Sequence, residues 1–296
     1  MIIEDTIEQY ERLLTLKSPE KREDFFRYSM MRPLKEMWGM LQVPLKASIP
    51  GGYDVLMAAE MLGFLNIQNK ELVQKGLNGL KDMDALAIAS QTLRDCLDFA
   101  IRNDLKFESD AIIFGVYLAD PNKLKYVDGY SGFGGIPGYV MACIYPNRSN
   151  VTRFPALIAH EFHHNLRFSY FEWNHGNVTL GEYLVIEGLA EAFAVELFGE
   201  DNLGPWVTGI DEEELAYSLY VMGDALETKG FAEVASYMFG DDYARKEGYH
   251  PVGLSPNAGY AVGYHVVREF MKETHVSIAE ATLLDAKEII ERSGVF

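Results

Sequence analysis

His160-Glu161-Phe162-His163-His164 forms an H-E-x-x-H pentapeptide, and the residues leading into it, Pro155 to Ala159, read as helix. On a helix, His160 and His164 sit one turn apart on the same face. Two imidazoles at that spacing can share one metal ion, with Glu161 beside them to take a proton from water held there. Ile158, Phe162 and Leu166 form an apolar stripe at four-residue spacing. His160 lies about 200° around the helix from Ile158. One face can therefore bury against a sheet while the histidines look into a cleft.

The flanking sequence reads as the frame for that helix. Ala111 to Leu118 is short, apolar and rich in β-formers, which predicts a strand. Gly129 to Gly138 reads as a glycine-rich loop, without the G-x-G-x-x-G arrangement of a phosphate-binding turn. Tyr139 to Tyr145 reads as a second strand, ended by Pro146 and Asn147, and Pro155 suits the first turn of the helix that follows. After a loop at 170–178, Thr179 and Glu182 make a T-x-x-E capping box for a helix running to Phe198. Residues 1–108 read as helices, over 24–41, 53–65, 69–80 and 84–103, and two more helices are expected at 258–274 and 278–292. The expected architecture is α+β and mostly helical. It comprises an N-terminal helical region at 1–108 and a domain at 109–296 holding a small mixed sheet and the H-E-x-x-H helix.

A catalytic zinc takes three protein ligands and leaves one position for water. The third ligand is assigned to Glu187, in Ile186-Glu187-Gly188-Leu189-Ala190-Glu191, on the helix that the 170–178 loop lets fold back. Glu191, one turn further along, is placed to accept the free N–H of a liganding histidine and fix its orientation. Glu182 is the alternative ligand, although the capping box already accounts for it. His163 takes a packing or supporting role. His175 is a further candidate, but the H-E-x-x-H-x-x-G-x-x-H spacing of three-histidine sites is absent, because Arg167 and Tyr170 stand where Gly and His are needed.

His160-Glu161-x-x-His164 together with Glu187-Gly-Leu-Ala-Glu191 resembles the gluzincin class of zinc metallopeptidases, and most closely the bacterial predicted Zn-dependent protease family of unknown function. The resemblance covers roughly residues 110–296. In gluzincins the third ligand is the Glu of an N-E-G-x-A-like segment, which maps onto Glu187. Here Ile186 replaces the Asn of many members, and the gap from His164 is longer than usual. The resemblance implies a zincin-like domain, Zn²⁺ as cofactor, and an edge strand before the metal helix along which a peptide lies. Tyr139–Tyr145 suits that strand. Tyr260-Ala-Val-Gly263 resembles the Tyr-x-x-Gly of gluzincin aminopeptidases, which makes Tyr260 the expected donor to the oxyanion, with Tyr264 and His265 as alternatives.

Composition narrows the partners. A formal net charge of −18 argues against nucleic acid and anionic membrane surfaces, whose binding needs Lys and Arg. No apolar run reaches the roughly 20 residues that span a bilayer, and Met1 to Leu14 lacks the blocks of a signal peptide. Cys96 and Cys143 lie far apart in no metal-binding spacing, so a reducing, cytoplasmic setting is expected. The expected activity is hydrolysis of a peptide or protein substrate by a zinc-dependent endopeptidase, since no residue marks an amino-terminus site. Two other readings share the motif: a binding or regulatory protein with a vestigial metal site, and a metal-dependent hydrolase of a non-peptide amide.

Overall fold

The computed structural model describes residues 1–174 and 176–296; His175, a candidate above, lies outside the described residues. The chain divides into two compact units, Met1–Cys96 with Phe107–Asn165, and Leu97–Lys106 with Leu166–Phe296.

The first unit opens with β1 (Ile2–Ile3) and α1 (Thr6–Thr15), followed by α2 (Pro19–Phe25), α3 (Lys35–Met40), α4 (Val55–Met61), α5 (Lys70–Asp82) and α6 (Ala85–Arg102), the last of which runs on into the second unit. Short polar side chains start these helices. The carboxylate or carbonyl oxygens of Asp5, Asp54 and Asn69, and the Ser18 hydroxyl, accept from amides of the first turn. The single helix expected over 24–41 is broken. After α2 the backbone widens into a π turn over Phe26–Met30 and tightens into a 3₁₀ turn at Arg32–Leu34. Pro33 lacks the N–H that an uninterrupted helix would need there.

The sheet is mixed and four-stranded, with order β1-β2-β4-β3. β2 (Ile113–Leu118) runs parallel to β1 and to β4 (Tyr139–Ile144), and β3 (Tyr130–Ile136) runs antiparallel to β4. Two expectations are corrected here. The glycine-rich stretch read as a loop is the strand β3. The strand at 139–145 is not an edge: β4 lies between β2 and β3 and is buried along its whole length. A strand covered on both faces reads as an unbroken apolar run, as Tyr139 to Ile144 does. Helices α1 and α5 pack on β2 of this sheet, and the Leu118 amide of β2 donates to the buried Tyr10 hydroxyl of α1 at 3.0 Å. Cys96 and Cys143 are both free and buried, and burial pushes each thiol well up.

α7 (Phe154–Arg167) follows the sheet and carries the histidine motif; the boundary between units falls in its last turn. The second unit is helical: α8 (Leu180–Phe198), α9 (Pro205–Thr208), α10 (Glu212–Gly223), α11 (Phe231–Phe239), α12 (Asp241–Glu247), α13 (Ala258–Thr274), α14 (Ile278–Ala281) and α15 (Ala286–Ser293). The helix expected at 278–292 is two, because Asp285 opens α15 with its own cap. α8 is this unit's axis. It is buried from Leu180 to Ala194 apart from Glu182, and it packs chiefly on α13. The mostly helical α+β architecture read from the sequence is borne out. No described helix is long and apolar enough to cross a membrane.

Candidate metal centre

α7 begins at Phe154 with Pro155 in its first turn, where a missing N–H costs nothing. Ile158, Phe162 and Leu166 are fully buried, as their spacing predicted. Phe162 also meets Phe107 edge to face, ring centres 5.1 Å apart. His160, Glu161 and His164 are buried as well, so this helix has no solvated face around the motif. The Nε2 atoms of His160 and His164 lie 3.0 Å apart, converging on one point as the i, i+4 spacing requires. His163 is fully buried and is not one of the clustered ligand groups.

α8 is started by the capping box read from the sequence. The Thr179 hydroxyl accepts from the Glu182 amide at 3.1 Å, and the Glu182 carboxylate accepts from the Thr179 amide at 2.7 Å. Glu182 is thus a cap, which disposes of it as the alternative ligand. Two turns on, Glu187 is 6% exposed and Glu191 2%. Paired glutamates at that spacing are ordinarily solvated, and burying a carboxylate is costly unless a cation or hydrogen bonds compensate. His160, His164 and Glu187 each offer one ligand atom, and all three atoms lie within 4.8 Å of one another. Two imidazoles and one carboxylate, buried and without cysteine, form the donor set of a catalytic zinc, which holds three protein ligands and keeps a position open. The residues present therefore fit that ion.

Glycines explain how backbone comes close at these positions. A Cβ at Gly132 would overlap the Glu161 side chain, and one at Gly134 would overlap the Glu161 carbonyl. Strand β3 therefore lies directly on the motif's glutamate. On α8, a Cβ at Gly188 would overlap Gly263 of α13, and one at Gly263 would overlap the Leu184 carbonyl. The glycines of Glu187-Gly188 and of Tyr260-x-x-Gly263 are thus two halves of one helix crossing.

The other expected site residues are placed as follows. The Glu191 carboxylate accepts from the Trp206 indole N–H and, at 3.5 Å, from the Gly204 amide. Tyr260, in the first turn of α13, packs on Trp206 and Phe239 with ring centres 6.2 and 6.1 Å away. Trp206 thus joins Glu191 to Tyr260, a link that spacing along the chain does not reveal. Burial, and then the charge of Glu200, pushes the Tyr264 phenol up against the opposing pull of Arg268, so it stays protonated at neutral pH. Burial, and then Arg268, lowers His265. Arg167, at the position a three-histidine site gives to Gly, is buried over the Phe171 ring and donates to the Thr282 carbonyl at 2.6 Å. Burial pulls its guanidinium down to about 9, opposed by Asp285, which leaves it a cation at neutral pH.

A family model described as "Predicted Zn-dependent protease (DUF2268)" matches residues 86–291. The chain is 54% identical over 296 residues to "Uncharacterized protein YjfC" of Bacillus subtilis (strain 168), a match spanning 100% of this chain and 99% of that one. It is 29% identical over 142 residues to "Uncharacterized protein YjaZ" of the same organism, 46% of this chain and 49% of that one. No solved structure matches it.

Proposed function

Because this chain belongs to the predicted Zn-dependent protease family, we propose that it is a zinc-dependent peptidase of the gluzincin type with a zincin-like catalytic domain. The observation that carries this reading is the buried cluster of His160, His164 and Glu187 with Glu161 on the same turn of α7. His160, His164 and Glu187 would hold the ion. Zinc, when bound, polarises water and the scissile carbonyl. Glu161 takes the proton of the attacking water and delivers it to the leaving amine. Its position against β3 restricts its side chain, which keeps the base in one orientation. Tyr260 is the proposed donor to the oxyanion, oriented by its packing on Trp206. Glu191 has the proposed task of accepting the free ring N–H of a liganding histidine and fixing its orientation.

The substrate is proposed to be a peptide laid along β3. That strand ends the sheet, and its outer backbone groups can pair with an extended chain. Such binding uses main-chain groups in the middle of a peptide, which favours endopeptidase action. Metal content by elemental analysis, followed by a peptide-library digest with and without chelator, tests the reading. Glu161→Gln is expected to retain about one zinc per chain and to lose at least a hundredfold in turnover, the scale of a general base. Unchanged turnover in that variant, or a zinc-loaded wild type that cleaves no peptide, overturns it.

A further inference from the structure

Asn165 sits one turn beyond Glu161 on α7 and is fully buried. Its side-chain oxygen accepts from the Gly138 amide at 2.7 Å. Its amide nitrogen donates to the Gly134 carbonyl at 2.6 Å and to the Tyr139 carbonyl at 2.8 Å. These three backbone groups belong to the end of the β3–β4 hairpin where the ladder is irregular. The pairing runs from Phe133 opposite Met141 to Ile136 opposite Tyr139, so Gly134 and Gly135 together oppose Val140. A bulge of this kind leaves ladder groups without strand partners and bends the strand. Asn165 supplies partners from the helix instead. The bent strand then passes so close to Glu161 that only glycine fits at positions 132 and 134.

Glu161 and Asn165, at i and i+4, therefore address the same strand from the same helix face. We propose that Asn165 is a positioning residue that locks the bulged edge strand at a fixed height over Glu161. It thereby sets where a substrate chain lying along β3 presents its carbonyl to the water that Glu161 deprotonates. The proposal rests on the reading of Glu161 as that base. A side chain with one acceptor and two donors is what the three backbone groups require. Aspartate has the same shape and keeps the acceptor, but as a carboxylate it cannot donate to the two carbonyls.

The test uses the full chain loaded with zinc. Asn165→Asp is expected to keep its zinc stoichiometry and its helix content. Hydrogen exchange of the backbone amides in 130–139 should quicken at least tenfold, while exchange in α8 is unchanged. kcat/KM for a cleaved peptide should fall at least tenfold, mostly through KM, because the register of substrate on the strand is loosened. Gly134→Ala pushes the same strand off Glu161, and with it the Gly134 carbonyl that Asn165 holds, while the Asn165 side chain itself is kept. It should give the same exchange pattern and the same rise in KM, and it serves where the aspartate variant fails to fold. Val73→Ala, a buried truncation in α5, supplies a destabilised comparison of normal activity. If Asn165→Asp only lowers Tm as Val73→Ala does, with KM unchanged, or if exchange in 130–139 is unaltered, the proposal is overturned. If the wild type cleaves no peptide, it is the peptidase reading that fails, and the exchange measurement still decides whether Asn165 holds the strand.

Discussion

Three buried glutamates, Glu161 on α7 and Glu187 and Glu191 on α8, differ in their surroundings. Glu187 clusters with His160 and His164, Glu161 lies under β3, and the Glu191 carboxylate accepts from a tryptophan N–H and a backbone amide. A ligand and a base respond differently when charge alone is removed. Glu187→Gln should lower zinc affinity on the order of a hundredfold or more, since altering groups merely outside the ligand set costs about 10–100-fold. Zinc titration against a fluorescent chelator measures it. Retention of full affinity would show that Glu187 is not a ligand, and a loss confined to turnover would assign it to catalysis instead. At this scale the sequence was most legible for His160, Glu161 and His164, because helical periodicity alone brings i and i+4 together. Asn165 and Trp206 were not legible. Their partners lie 26 to 31 and 15 residues away in the chain, respectively, and no local period links them.

Among the elements, α8 declares itself in the sequence and β3 conceals itself. The capping box at Thr179 and the long apolar run that follows mark α8 from its first residue. β3 contains Gly132, Gly134 and Gly135, and glycine argues against strand by propensity. Propensity was outweighed because the strand has to lie against Glu161, where a Cβ cannot fit. The same steric logic governs the α8–α13 crossing. Gly263→Ala would gain up to about 1 kcal/mol of helix propensity. The added methyl meets the Leu184 carbonyl, a fixed backbone atom, and overpacking of that kind costs about 1–3 kcal/mol or more. The expected net result is destabilisation, read as a lower urea midpoint with an unchanged slope. A midpoint at or above that of the wild type would mean that the helices can separate at no cost.

For the molecule as a whole, a metal held only by the folded chain is a source of stability. Zinc at a hundred times its Kd would add about 2.7 kcal/mol. For a chain of 296 residues that corresponds to roughly 4 °C in Tm. Chelator should lower Tm by about that amount, and added zinc should restore it; calorimetry that shows no difference would argue against the metal centre. The amino-acid sequence by itself determined the helical character, the existence of strands at 113–118 and 139–144, and the motif helix with its two histidines. Each of these is written in a short period or an unbroken apolar run, and such patterns survive without knowledge of the fold. Only the tertiary structure decided that β3 and not β4 forms the sheet's edge, that Glu187 clusters with the histidines while Glu182 stays at its cap, and that Asn165 ties the motif helix to the hairpin. Strand order and the meeting of side chains distant in sequence depend on which faces bury together, and that is settled by packing across the whole chain.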